Sequence, residues 1–195
     1  LDAGSGITVQ ATDLLTIFSG AGGIGLSLSG NAGVGIGLDI QVITRNTTAS
    51  VGSRSDLNST NGNILINADS DDDITSIAVT FGASATGSAG VAASVGVVVL
   101  QTDTLATVAN GSSLNRTRLD AGGDVTVRAE GDAKVFMLAG GLAYGNNAGI
   151  GIASTVFVHT DNVIASIGNY GGVMTGGANG LNVEATSTDD VLLIA

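Results

Sequence analysis

The sequence predicts an all-β protein: a parallel β-solenoid built from repeats of near 59 residues, each with a long Gly/Ala-rich β-hairpin. Three observations predict it. Branched apolar residues alternate with Gly, Ala or Ser over long runs, as in residues 19–40, SGAGGIGLSLSGNAGVGIGLDI. A period of two is the mark of a strand. A whole block also recurs: LDAGSGITVQA at 1–11 returns as LDAGGDVTVRA at 119–129, with NGNILINA at 61–68 between them and ANGLNVEA at 178–185 after them. Finally, Gly 31, Pro 0, Cys 0, Trp 0 and 3% aromatics do not describe an ordinary core, whereas 44% hydrophobics require that something be buried. Without Pro, backbone donors stay available for ladders along the whole chain.

Each unit reads, in order, as a short strand, a polar turn, a long strand, a tight turn, a second long strand, a turn, a short strand and a polar loop. In the first unit the strands fall at 7–11, 14–29, 33–44 and 48–51. The tight turn is Gly30-Asn31-Ala32-Gly33, then Gly87-Ser88-Ala89-Gly90, then Asn146-Asn147-Ala148-Gly149. A Gly/Asn turn between alternating runs predicts a hairpin. The marker Ala49-Ser50-Val51 returns as Ala106-Thr107-Val108 and Ala165-Ser166-Ile167. These landmarks divide a single array into units of about 1–60, 61–118, 119–177 and a partial 178–195. Residues 85–100 could also be drawn as a Gly/Ala-rich helix, but Val97-Val98-Val99 and the lack of caps favour strand.

One unit cannot cover its own apolar faces, whereas stacked units can. Interior Gly costs a strand roughly 0.5–1 kcal/mol relative to Ala, so this many imply close packing of sheet on sheet or of hairpin on solenoid.

The repeated block LDAGGDVTVRA with its acidic turn resembles the β-helical shafts of large secreted bacterial adhesins of the filamentous haemagglutinin type. The Gly/Ala/Val hairpin followed by Ala-Ser-Val looks closer to the leukotoxin-like filamentous adhesins. The resemblance implies a right-handed parallel β-solenoid, an extracellular place at the bacterial cell surface, and a role as shaft, self-assembling fibre or adhesive surface. Haemagglutinin-type coils are much shorter than this repeat. Each unit therefore holds either several coils or one short coil with a projecting hairpin, and the unbroken strands favour the second.

Acidic residues recur after the short strand: Asp13, then Asp69, Asp71, Asp72 and Asp73, then Glu130 and Asp132, then Asp189 and Asp190. Stacking would bring like charges together, and Ca²⁺ would relieve them. Asp71, Asp72, Asp73, Asp132, Asp189 and Asp190 are the metal candidates, against the plainer reading of solvated carboxylates that discourage edge pairing. Gly20-Ala21-Gly22-Gly23-Ile24-Gly25 matches G-x-G-x-x-G, but no helix follows it. His159, the one histidine, lies on an alternating strand with no nucleophile motif nearby. Arg45, Arg54, Arg116, Arg118 and Arg128 form no cluster along the chain. Asn46, Asn58, Asn110 and Asn115 match glycosylation acceptors and read more simply as turn residues.

A net charge of −11 argues against nucleic acid and against anionic membrane surfaces. No apolar run is long enough for a spanning helix, aromatic girdles are missing, and membrane insertion is not expected. No cofactor and no enzymatic activity are expected; a polysaccharide-cleaving β-helix is the enzyme alternative. The expected partners are further copies of the repeat, stacked end to end or laterally. The competing expectation is a host glycan or receptor held by loops such as 53–63 and 168–180. With Tyr144 and Tyr170 the only tyrosines, few aromatics are on hand for it.

Overall fold

The computed structural model describes residues 1–29, 31–86 and 89–195. Gly30 of the first tight turn and Gly87-Ser88 of the second lie outside them. The described chain is a parallel β-solenoid of three sheets. The first coil runs through β1 (Asp2–Ala3), β2 (Ile7–Ser27) and β3 (Ala32–Val51). The second comprises β4 (Asp56–Ser59), β5 (Ile64–Ser84) and β6 (Ala89–Val108). The third comprises β7 (Thr117–Ala121), β8 (Val125–Tyr144) and β9 (Ala148–Ile167), and β10 (Gly171–Thr175) and β11 (Leu181–Ile194) follow. The short strands form one sheet in the order β1-β4-β7-β10, the first long arms a second, β2-β5-β8-β11, and the second long arms a third, β3-β6-β9.

Every pairing is parallel, and each residue lies beside its counterpart one repeat away: Ile7 beside Ile64, Ile64 beside Val125, Val125 beside Leu181. Sheet hydrogen bonding therefore runs along the stacking axis. The two long arms follow the path expected of a hairpin, out along one strand and back along the next, but they share no ladder. They belong to different sheets and face each other across the interior as an arch. Each repeat is thus one wide coil, neither several short coils nor a short coil with an appendage.

Two further differences have local causes. The polar pairs Thr12-Asp13 and Asn46-Thr47, expected in turns, lie within unbroken strands. Asp13 points inside to meet Arg45, and Thr47 is buried. The short sheet was missed because strands such as Asp56–Ser59 are too brief to show a period and offer one apolar residue, Leu57.

The interior changes along the arms. Nearest the short sheet, Ile7, Val51, Leu57, Ile64, Ile66, Val108, Leu119, Val125 and Val127 form a continuous apolar cluster. Further out, Ile74, Val98, Leu100, Val135 and Met137 form a second. Beyond that the inward positions of β5 run Ser76, Ala78, Thr80, Gly82 and Ser84, and the arms close on each other. A Cβ added at Gly25 would sit 1.8 Å from the Val34 carbonyl oxygen, and one at Gly82 would sit 1.9 Å from that of Val91. The facing backbones are therefore at Cα–H···O range, far inside the ~10 Å of ordinary stacked sheets. Glycine is required there by close approach.

Candidate functional site

The same alternation that sends glycine inward at the far end of the arch sends apolar side chains outward. On the outer face of the β3 sheet, Val34, Ile36, Leu38, Ile40 and Val42 stand in ladders with Val91, Ala93, Val95, Val97 and Val99, and then with Ile150, Ile152, Ser154, Val156 and Val158. The outer face of the β2 sheet carries Phe18, Thr75, Phe136 and Leu192 in one rung and Ile24, Phe81 and Leu142 in another. In the first coil Ile24 is 77% exposed and Ile36 68%. Between the rungs, the row Gly22, Val79, Gly140 leaves an apolar cavity of about 520 Å³ floored by Gly22 and Gly23 and walled by Ile24, Phe81 and Leu142. No charged residue interrupts either stretch from Ile24 to Leu28 or from Val34 to Leu38. The blade is apolar on both broad sides, and its inside has no room to take those side chains back.

Nearer the short sheet the polarity reverses. The outer face of the β2 sheet carries an acidic band: Asp69 beside Glu130, Asp71 beside Asp132, and Asp73 beside Lys134, which lies beside Asp190. Four metal candidates, Asp71, Asp73, Asp132 and Asp190, thus lie on one face in mid-strand, not in turns. Asp72 and Asp189 fall on the opposite, inward face, because neighbours on a strand alternate. Among the described residues no group of three or more His, Cys, Asp or Glu side chains is arranged to hold a metal ion. Lys134 stands among the carboxylates, and Arg128 pairs with Glu130.

The inward acids have partners on the opposite sheet. Arg45 Nη1 donates to Asp72 Oδ1 at 2.8 Å, Arg45 Nε donates to Asp13 Oδ2 at 3.0 Å, and Thr102 Oγ1 donates to Asp72 Oδ2 at 3.2 Å. Burial would pull the Arg45 guanidinium down, but the two carboxylates hold it above its ordinary range. One rung along the axis, Ser187 Oγ donates to Asp161 Oδ2 and His159 Nδ1 lies 3.2 Å from Asp189. Phe157 stacks against His159 at a centroid distance of 5.7 Å. A second polar group lies further out. Asp39 accepts from the hydroxyls of Ser19 and Ser76, both at 2.5 Å, and from Gln41 Nε2 at 3.3 Å. Burial would raise the Asp39 carboxyl, yet these three donors hold it below its usual range. Both groups tie the facing arms together.

The loops expected to carry a binding surface come together at the corner between the β3 sheet and the short sheet. Arg54 N–H donates to Thr117 Oγ1 at 3.0 Å, and Gly111 N–H donates to the Asn169 carbonyl at 2.8 Å. Arg54, Arg116 and Arg118, scattered in sequence, are thereby brought into one region. The signal that could have found them is the repeat itself, since the loops after Val51, Val108 and Ile167 must stack once those strands stack.

Among the described residues no helix is long and apolar enough to cross a membrane. No protein-family model matches this chain, and neither a curated protein nor a solved structure is found similar to it. The fold and these surfaces define the class: a parallel β-solenoid repeat module that stacks coil on coil.

Proposed function

We propose that the chain is a structural module of a large extracellular repeat protein, a shaft or self-assembling surface fibre, whose blades associate face to face with further copies of the same chain. The observation that carries this reading is the reversed arch, with glycine inside and branched apolar residues outside on both broad sides. Monomers rarely leave apolar patches beyond a few hundred Å² uncovered.

Geometry supports a second copy as the occupant. Residues 34–42 span about 27 Å of strand, and three strands spaced ~4.8 Å apart give a face of roughly 390 Å². A stable pair needs about 800 Å² from each partner. One face of three coils supplies about half of that, and the opposite face can only meet a different neighbour, so a pair of these chains associates weakly. Each further coil would add about 130 Å² per face, so association is a property of the array. Lipid is the poorer occupant. Asp69, Asp71, Asp73 and Asp132 lie on the same outer face of the β2 sheet as its apolar rungs, and a bilayer would have to strip water from them. A neighbouring blade covers the apolar stretch and leaves that band in water.

The test is sedimentation velocity over a concentration series, with negative-stain microscopy of the heaviest fractions. The native chain is expected to self-associate. Ile36→Lys with Ile40→Lys, both outward-facing and exposed, is expected to return it to monomer with its circular dichroism unchanged. A native chain that stays monomeric at the highest concentrations would sink the reading. Flotation with phosphatidylcholine vesicles would hand the faces to lipid instead.

A further inference from the structure

We propose that the corner formed by Arg54, Arg116, Arg118 and Tyr170 is a binding site for a single oxyanion-bearing sugar, a pyranose with a carboxylate or sulfate group. The inference does not depend on association through the blade faces, which lie on other sheets.

The first ground is charge. The chain has six basic residues against seventeen acidic ones, and three of the six meet at this corner. Among the described residues Arg45 pairs with Asp13 and Asp72 and Arg128 pairs with Glu130, while Lys134 makes no ion pair but lies between Asp73 and Asp190 in the ladder. Arg54, Arg116 and Arg118 make no ion pair among the described residues. Arg118 has Asp56 as its ladder neighbour on one side and Gly172 on the other, and its Cγ lies 3.9 Å from where a Gly172 Cβ would be.

The second ground is shape. Arg116, Arg118, Leu119, Gly172, Val173 and Met174 line a cavity of about 360 Å³. A neighbouring cavity of about 300 Å³ has Arg54, Asn110, Ser112 and Asn115 in its wall. The missing side chain at Gly172 opens the first of these. Arg116 and Arg118 line its wall, the exposed Met174 adds an apolar surface, and Asn110, Ser112 and Asn115 supply hydroxyl-matching groups next door. A planar guanidinium fork suits a carboxylate or sulfate.

The third ground is backbone strain. Arg54 (φ 62) and Tyr170 (φ 56) are the only non-glycine residues at positive φ among the described residues. They occupy the same place in their coils, three residues past the ends of β3 and β9. Glycine or asparagine would sit there at little cost; a long guanidinium and an aromatic ring are held there instead. Tyr170 is exposed. A Cβ on Gly111 would meet the Tyr170 carbonyl oxygen at 2.9 Å and Arg116 Cα at 3.0 Å, so the backbones of Tyr170 and Arg116 adjoin the same glycine. An exposed aromatic on the loop that adjoins the arginines offers a sugar a ring face as well as an anion partner.

The net charge of −11, with Asp56 and Asp120 on the same sheet, decides the size of the ligand. Three arginines in so negative a molecule hold one oxyanion at short range and do not attract an extended polyanion.

Isothermal titration of the 195-residue chain with glucuronate, glucosamine 6-sulfate, glucose and inorganic sulfate tests this. Binding of glucuronate or glucosamine 6-sulfate, or both, is expected, weakened by salt, with none for glucose. Arg116→Ala with Arg118→Ala should lower the affinity at least about tenfold. Gly172→Asp should do the same by filling the cavity with a like charge, and its open surroundings let it fold. Tyr170→Ala should weaken both sugars and leave sulfate untouched. Silence toward both charged sugars overturns the proposal. Equal affinity for inorganic sulfate and the sugars reduces the site to an anion hole and overturns the sugar assignment. Preference for a short DNA duplex over every sugar overturns it in favour of nucleic acid.

Discussion

Ile66 and Gly82 lie on the inner face of one strand, β5, and both are buried. Ile66 fills space between three sheets. Gly82 has no space to fill, because the Val91 carbonyl lies where its Cβ would be. Outside, the contrast is inverted: the outward positions that follow Ile66 along the strand are Asn67, Asp69, Asp71 and Asp73, whereas Phe81 and Ala83 flank Gly82. The near half of each coil is folded like an ordinary protein, stabilised by burying branched side chains from water. The far half leaves comparable side chains in water and gains instead from backbone contact between arms and from ladders along the axis. A repeat that spent its apolar residues inward throughout would be a self-sufficient rod. This one is self-sufficient for half its width.

The sharpest way to break that contrast is to give the far half a side chain. Gly82→Val has to push apart two backbones with no flexible neighbour to yield. The expected cost is above the ~1–3 kcal/mol usual for overpacking, because the whole arch must open. The matched control is Gly96→Ala on the facing arm, where a Cβ meets only the Met137 and Ser76 side-chain tips at 3.4 and 3.6 Å. It should shift the urea midpoint little. Equal midpoints for the two variants would mean that the arms are not in contact, and the contrast would collapse.

Next in size is the polar junction between the halves. Asp72→Asn keeps the shape and removes the buried charge facing Arg45. The loss should be about 3 kcal/mol, the low end for breaking a buried pair, since Asp13 remains to share the guanidinium. Asp71→Asn, one residue away on the outer face, should change the midpoint by less than about 0.5 kcal/mol. A reversed order would mean the strand register is one residue off, which would turn every inward residue outward.

That register was legible in the sequence. Alternation at Ile24-Gly25-Leu26 and the recurrence of the 1–11 block at 119–129 are local facts, and from them the parallel stack follows. What was not legible depends on facing sheets. Asp13 looks like a turn residue until Arg45, thirty-two positions away, is placed opposite it. Asp72 looks like one of three equivalent acids in Asp71-Asp72-Asp73 until the pleat sends it alone inward. The arginine corner is assembled from three coils, and no window of sequence contains it. A local pattern specifies which face a residue occupies; it does not specify what stands across the gap.

The smallest expected effect tests the outermost polar contact between the arms, at Asp39. Burial alone would favour the protonated acid, but donation from Ser19, Ser76 and Gln41 outweighs it and leaves the folded carboxyl below its ordinary value. The unfolded chain takes up this proton near pH 3.9 and the folded chain only at lower pH. The stabilisation is therefore fully present above that value and is lost as pH falls through the folded pKa. Ser76→Ala removes one donor and should cost about 1 kcal/mol at pH 7. The cost should shrink toward zero in strong acid, where Asp39 is protonated in both states. Other carboxylates also titrate in this range, so the informative quantity is the difference between native and Ser76→Ala stability at each pH. If that difference stays constant from pH 7 into strong acid, where Asp39 is protonated in the folded chain as well, Ser76 contributes packing alone, and the arms are held together at this level by contact without charge.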